Sequence, residues 1–279
     1  MPASTKTWFI TGASSGFGRA FARHALARGY NVVATARSVG KLEALKAEAP
    51  DRVLIAELDV DRTGDAERAV KAAIEKFGAI DVLINNAGYA IVGAIEETPE
   101  HELRAIMETN FFGAAALTKA ALPHMRARRS GAIVNISSMG GQMSFASVGA
   151  YSATKFALEG YSEALAQEVA SFGIKVLIVE PGAFRTSLVS HGDRRMPVMD
   201  AYREPLAAVR QAMQEMDGTQ TGDPMKAAAA IDRALAVENT PLRLQLGADA
   251  IDAIREHAER LLADLEEWKP VGIDAWIDG

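Results

Sequence analysis

The chain has no cysteine among its 279 residues. Disulfides, thiolate nucleophiles and zinc–sulfur centres are therefore excluded. It also lacks an excess of positive charge. The formal net charge is −6, which argues against a nucleic-acid footprint or a surface for anionic membranes. The one basic cluster, Arg126, Arg128 and Arg129 before Gly131, reads as favourable charge at a helix C-terminus. Long uncharged hydrophobic runs are missing too. The richest stretches, Ala114–Leu122 and Ala227–Val237, are too short or too charged to span a bilayer. Phe9 and Ile10 already belong to a buried strand pattern, so no signal peptide is expected and the expected location is cytoplasmic.

What remains is an ordinary balance for a soluble protein, 49% apolar and 24% charged. A chain of this length can bury a large core, and residues 1–279 are expected to form a single domain. Continuous aliphatic runs at Trp8–Thr11, Asn31–Ala36, Val53–Ala56, Val82–Asn85, Ala132–Ile136 and Lys175–Val179 read as strands buried on both faces. Helical patterns lie between them, the clearest at Phe17–Arg28, Thr63–Phe77, Pro99–Met125 and Tyr151–Ser171. Thr98 is the expected N-cap of the third, with Pro99 in its first turn. A helix over Met225–Val237, a last strand over Leu242–Gln245 and a closing helix over about 249–268 complete the series. Strand–helix alternation of this kind predicts an α/β fold with a doubly wound parallel sheet of about seven strands. Between them, residues 187–222 are poorly periodic, with a helix expected near Tyr202–Met216.

The first strand runs into Thr11-Gly12-Ala13-Ser14-Ser15-Gly16-Phe17-Gly18 and then into a helix. Glycines let a backbone turn sharply and approach a pyrophosphate, and the helix N-terminus supplies free N–H donors. Arg19 stands where a Walker loop would carry lysine–serine or lysine–threonine, so that phosphate loop fits badly. Further on, Tyr151 and Lys155 are four apart and would share one face of a helix. A tyrosine hydroxyl can give a proton to a forming alkoxide, but its reference pKa of about 10 is high for the reverse step. A unit charge about 4 Å away, at an effective dielectric near 20, is worth up to about 4 kcal/mol. The lysine is therefore expected to depress that pKa.

Thr-Gly-x-x-x-Gly-x-Gly, followed by Asn85-Asn86-Ala87-Gly88, Asn110, Ser138, Tyr151, Lys155 and Pro181-Gly182, resembles the short-chain dehydrogenases/reductases. The ordered set covers residues 7–186. Glu180-Pro181-Gly182-Ala183-Phe184-Arg185-Thr186 is similar to the bacterial branch near 17β-hydroxysteroid and retinol dehydrogenases. The resemblance implies a Rossmann-type fold and hydride exchange between a nicotinamide and a carbonyl or secondary alcohol, as in a carbonyl reductase. It implies Tyr151 as acid/base, Ser138 on the substrate oxygen and Lys155 on the nicotinamide ribose. Asn110 would hold a water of the proton relay. Gly12, Ser14, Ser15, Gly16, Phe17 and Gly18 would line the cofactor phosphates, and Asp59-Val60 the adenine. Asn86, Ala87 and Gly88 would lie along the adenosine ribose, with Pro181, Gly182 and Thr186 at the carboxamide end. No metal is expected.

Cofactor choice is read from the second strand. An acidic residue at its end would grip the 2′-hydroxyl of NAD, but Ala36 stands there and Arg37 follows. Arginine can pair a 2′-phosphate, so NADP(H) is expected in preference to NAD(H), with Arg19 and Ser14 as further candidates. The substrate lid is expected at 187–222, where Met196, Met199, Met213 and Met216 suit a bulky apolar carbonyl or alcohol. The resemblance implies a homodimer or homotetramer. Two alternatives stand beside this reading: a nucleotide-sensing regulator without catalysis, and a sugar-nucleotide epimerase or dehydratase.

Overall fold

In chain order the strands are β1 (Thr7–Ile10), β2 (Asn31–Ala36), β3 (Val53–Glu57), β4 (Val82–Asn85), β5 (Ala90–Val92), β6 (Gly131–Ile136), β7 (Ile174–Pro181), β8 (Asp193–Arg195) and β9 (Arg243–Leu246). This is a computed structural model, and it describes residues 5–186, 193–275 and 277. Seven strands form one sheet in the order β3-β2-β1-β4-β6-β7-β9, every neighbouring pair parallel. The fold is a Rossmann-type doubly wound sheet.

The helices are α1 (Gly16–Ala27), α2 (Glu43–Glu48), α3 (Asp65–Phe77), α4 (Glu100–Met107), α5 (Gly113–Arg128), α6 (Gly149–Val169), α7 (Asp200–Arg203), α8 (Ala207–Glu215), α9 (Pro224–Ala236) and α10 (Ala248–Ile273). Strand residues alternate between the two faces, so each run has to be apolar throughout. Trp8, Ile10, Val32, Ile84 and Val134 enter one core with Phe21 of α1 and Ile231 of α9. Phe9, Val33, Leu83 and Ile133 enter the other, with Val70 of α3, Leu117 of α5 and Leu165 of α6. A buried polar chain crosses the second layer. Asn85 Nδ2 donates to Asn135 Oδ1 at 2.8 Å, Asn135 Nδ2 to Ser162 Oγ at 2.8 Å, and Ser162 Oγ to Leu158 O at 2.6 Å. Hydrogen bonds between otherwise unpaired buried groups fix α6 on the sheet in one register.

The structure departs from the sequence pattern in four places, the first being the helix expected near Tyr202–Met216, which is found as two, α7 and α8. The helix expected over Pro99–Met125 is interrupted by a π-helical turn over Glu108–Phe112, which separates α4 from α5. Thr98 does not cap it: Pro99 is the N-cap, and Thr98 Oγ1 donates back to Ala94 O at 3.0 Å. A two-stranded parallel ribbon of β5 and β8 was not expected, because three-residue strands carry too little apolar pattern to read.

That ribbon anchors the segment that follows it. Of the expected lid over 187–222, residues 187–192 lie outside the described residues; the rest is hooked to the segment after β5. Met196 N donates to Val92 O at 2.9 Å, and Tyr202 Oη donates to Glu96 at 2.7 Å. Glu97 is the centre of the attachment. It is buried and accepts from Ala94 N at 2.7 Å, Met199 N at 2.9 Å and Arg210 Nη2 at 2.6 Å. Burial alone would raise its pKa, but these bonds outweigh it and hold the carboxyl below its ordinary 4.5. The latch therefore adds stability above that value and loses it as pH falls through the folded value. Glu97→Gln is expected to cost about 3 kcal/mol, because Arg210 keeps its charge in a largely buried place. Hydrogen exchange should quicken across 199–216 first, while unchanged exchange there would mean that other contacts hold this segment.

Candidate active site

The site lies at the carboxyl ends of β1, β4, β6 and β7, where open α/β sheets bind ligands. The glycine turn after β1 is built by close approach. Gly12 and Gly16 take φ of 65° and 49°, in the left-handed region where a side chain is strained. A Cβ on Gly18 would sit 2.2 Å from Gly12 O. Asn86 braces the turn from β4: its Nδ2 donates to Thr11 O at 2.8 Å and Gly12 O at 3.4 Å. Thr11 Oγ1 in turn accepts from Asn86 N at 2.8 Å and Ala87 N at 2.9 Å. The Asn86 amide nitrogen is thus engaged by the turn. Ser15 is the N-cap of α1 but its side chain caps no N–H group, which leaves the first N–H groups of the helix for an anion. Arg19 curls back to donate to Ser14 O at 2.7 Å. Donor set and missing Cβ atoms together fit a dinucleotide pyrophosphate.

Ser138, Tyr151 and Lys155 come together beside this turn. Ser138 follows β6 and its Oγ accepts from Gly140 N at 3.0 Å. Tyr151 faces it across that glycine. Gly140 lies between them, its missing Cβ 3.4 Å from Ser138 Oγ and 3.5 Å from Tyr151 Cε1. Ser137 turns elsewhere, with Gly141 packed on its Oγ and on Glu159. Lys155 is buried. Its Nζ donates to Ile136 O at 2.8 Å and stands 5.5 Å from the Tyr151 ring centroid.

The electrostatics differ from the expectation that lysine depresses the tyrosine. Burial raises the Tyr151 pKa, and only the Ser138 hydrogen bond pulls it down. Lys155 is itself lowered to about 8 by burial, with Glu159 opposing the change. The ammonium is anchored on the Ile136 carbonyl, and burial of the phenol governs the direction of its shift.

Asn110 falls on the π turn and is buried. Its Nδ2 donates to Tyr89 O at 2.9 Å and Thr154 Oγ1 at 3.1 Å, and its Oδ1 accepts from Tyr89 N at 3.0 Å. Both amide protons are occupied, and Thr154, which donates to Tyr151 O at 2.7 Å, ties Asn110 to the tyrosine turn. Gly88 packs on Asn110, with the missing Cβ 3.0 Å from its Oδ1.

The other expected residues sit around the same mouth. Arg37 is exposed just after β2. Asp59 Oδ1 accepts from Asp61 N at 3.3 Å, and Val60 packs on Gly113 at the start of α5. Phe17 stacks on Phe21 and touches Phe184, ring centroids 5.5 and 5.1 Å apart. Pro181 ends β7, Gly182 N donates to Leu246 O at 2.9 Å, and Thr186 lies on Gly16. Asp249 of α10 holds this corner by accepting from Ala183 N at 2.7 Å. Neither Asp249 nor Thr154 was expected from the sequence, as each acts through contacts far apart in the chain. Among the described residues no cluster suited to a metal ion is present, and no helix is long and apolar enough to cross a membrane.

The chain matches the short chain dehydrogenase family over residues 6–196. It belongs to that family. As such it is an oxidoreductase acting on an alcohol or carbonyl group. It is 39% identical to Oxidoreductase BOA17 of Botryotinia fuckeliana (strain B05.10), over 96% of this chain and 98% of that one. Among solved structures it resembles a short-chain dehydrogenase from Streptomyces avermitilis, with TM-score 0.93 and 51% identity over 98% of this chain and 100% of that one. An alcohol dehydrogenase from the archaeon Thermococcus sibiricus, complexed with 5-hydroxy-NADP, aligns with TM-score 0.72 and 25% identity, over 87% and 96% of the two chains.

Proposed function

We propose that the protein is an NADP(H)-dependent carbonyl reductase or alcohol dehydrogenase in which Tyr151 carries the proton. The observation that carries this reading is Ser138 and Tyr151 set on either side of Gly140, with the buried Lys155 ammonium 5.5 Å from the tyrosine ring. The nicotinamide, when bound, supplies or receives the hydride. The chain's own residues handle the proton. Ser138 holds the substrate oxygen against the tyrosine hydroxyl, and Tyr151 protonates that oxygen as the alkoxide forms. Burial raises its pKa, so Tyr151 is protonated at neutral pH and has the proton to give. Lys155 keeps a positive charge near the phenol and the ribose side of the site. With both Asn110 amide protons in use, a relay water would be held by Oδ1 or by main-chain carbonyls of the π turn.

Support for the phosphate-bearing cofactor comes from Ala36 and Arg37 at the end of β2 and from the NADP analogue held by the Thermococcus relative. Arg37→Ala is expected to weaken NADPH binding by about ten- to a hundredfold and leave NADH nearly unchanged, the scale of a charged hydrogen bond. Fluorescence titration with both cofactors measures it; equal loss for both would remove Arg37 from the 2′-phosphate. The reaction itself is tested by NADPH oxidation against ketones, aldehydes and quinones. Turnover supports the reductase, whereas tight NADPH binding with no turnover on any class would favour the sensing regulator.

A further inference from the structure

Behind Lys155, one turn further along α6, lies a buried carboxyl pair for which the proton transfer described above has no use. Glu159 and Glu180 are both buried and share two partners. Gln142 Nε2 lies 3.0 Å from Glu159 Oε2 and 3.1 Å from Glu180 Oε1. Arg243 Nε lies 3.2 Å from Glu159 Oε2 and 3.1 Å from Glu180 Oε1. Glu180 Oε2 also accepts from Gln245 at 2.6 Å, while Glu159 Oε1 has no hydrogen-bond partner among the described residues. Glu180 has the more hydrogen-bond partners of the two, and Glu159, one helical turn after Lys155 on α6, is the carboxyl whose charge acts on Lys155.

The charged groups around Glu159 are few. Lys155 and Glu163 face it from its own helix, Glu180 from β7 and Arg243 from β9; Ser137, Gln142 and Gln245 are the neutral neighbours. Arg243 is further drawn to Glu163, so one guanidinium serves three carboxylates. Two adjoining buried carboxyls with one shared cation cannot both ionise cheaply, and such a pair holds a proton in common. Burial first, and Glu180 after it, lift Glu159 to about 7 against the pull of Ser137 and Arg243. Burial raises Glu180 as well. Glu159 in turn supports the charge of Lys155 against burial.

We propose that Glu159 and Glu180 are a positioning pair for the Lys155–Tyr151 couple: the proton they share sets whether Lys155 meets a carboxylate or a neutral acid. The pair thereby fixes the pH range in which Lys155 is charged. This rests on the assignment of Tyr151 and Lys155 above, but its test does not need turnover. The two glutamates act in opposite directions. Glu159→Gln removes the carboxylate facing Lys155 and should lower its titration midpoint by about one unit, the low end for loss of an opposite charge. Glu180→Gln removes the competitor, lets Glu159 ionise more readily and should raise that midpoint.

The experiment is a pH titration of 13Cε-lysine resonances in the full-length protein, the Lys155 signal identified by its absence in Lys155→Met. The expected result is a fall in Glu159→Gln and a rise in Glu180→Gln. If one variant fails to fold, the sign of the shift in the other still decides. A midpoint that moves by less than about 0.2 unit in the folded variants, or the same way in both, overturns the proposal and leaves the pair a packing feature. NADPH-dependent reduction of a quinone probe by the same variants keeps the two readings separate. No turnover by the unaltered protein would count against Tyr151 as acid while leaving the lysine titration decisive.

Discussion

Tyr151→Phe is expected to lower turnover by about a thousandfold or more, with NADPH binding changed by less than about threefold. General acid–base catalysis by a positioned side chain is worth about 10²–10⁴, and among the described residues no second acid of suitable strength stands beside Ser138. The substitution deletes one oxygen and keeps the ring against Gly140 and Lys155. What is lost is the proton donor, so the loss belongs in kcat. Ser138→Ala should give a smaller loss, about a hundredfold, because the tyrosine proton remains while the substrate oxygen is less well held. The order matters. A Ser138 variant more damaged than the Tyr151 variant would mean that the serine, not the tyrosine, governs the proton. Activity of Tyr151→Phe within about threefold of the parent would remove Tyr151 from the chemistry altogether.

How much of this was legible in the sequence follows from the range of each interaction. The seven sheet strands are found within two residues of their expected ends, because runs such as Val32-Val33-Ala34 must be apolar on both faces of a covered parallel sheet. Tyr151 and Lys155 were legible for a similar reason: helical periodicity alone puts them one turn apart. The π turn at Asn110 was not, since no residue pattern distinguishes it from a continuing helix. The attachment of the segment after β8 was hidden as well. Glu97 and Arg210 are 113 residues apart, and each alone reads as a surface charge. The sign of the Tyr151 shift failed for another reason. Spacing fixes which residues share a face but not where a long side chain ends, and the Lys155 ammonium ends on Ile136 O. Glu159 did carry a signal, its place four residues after Lys155, but only the fold reveals that Glu180 from β7 adjoins it.

Gly18→Ala is the substitution expected to damage the protein most for its size. The added methyl would lie 2.2 Å from Gly12 O, and 2.8 Å from both Gly12 C and Asn86 Nδ2. Two of those atoms are backbone, so no rotamer change relieves the clash. Either α1 moves away from the turn or the turn opens, and Gly12, at φ 65°, has already used its conformational freedom. Overpacking of this kind costs about 1–3 kcal/mol, and opening the turn should reduce NADPH binding by at least about tenfold. Gly160→Ala supplies the contrast. Gly160 is exposed within α6 with nothing near its missing Cβ, so alanine there should stabilise by about 0.5–1 kcal/mol through helix propensity. Thermal unfolding and NADPH titration of both variants give the comparison. If Gly18→Ala bound NADPH as tightly as the parent while losing stability, the close approach would be a packing device and the phosphates would lie elsewhere. If both quantities fall together, the same contact that holds α1 against the turn also shapes the cradle.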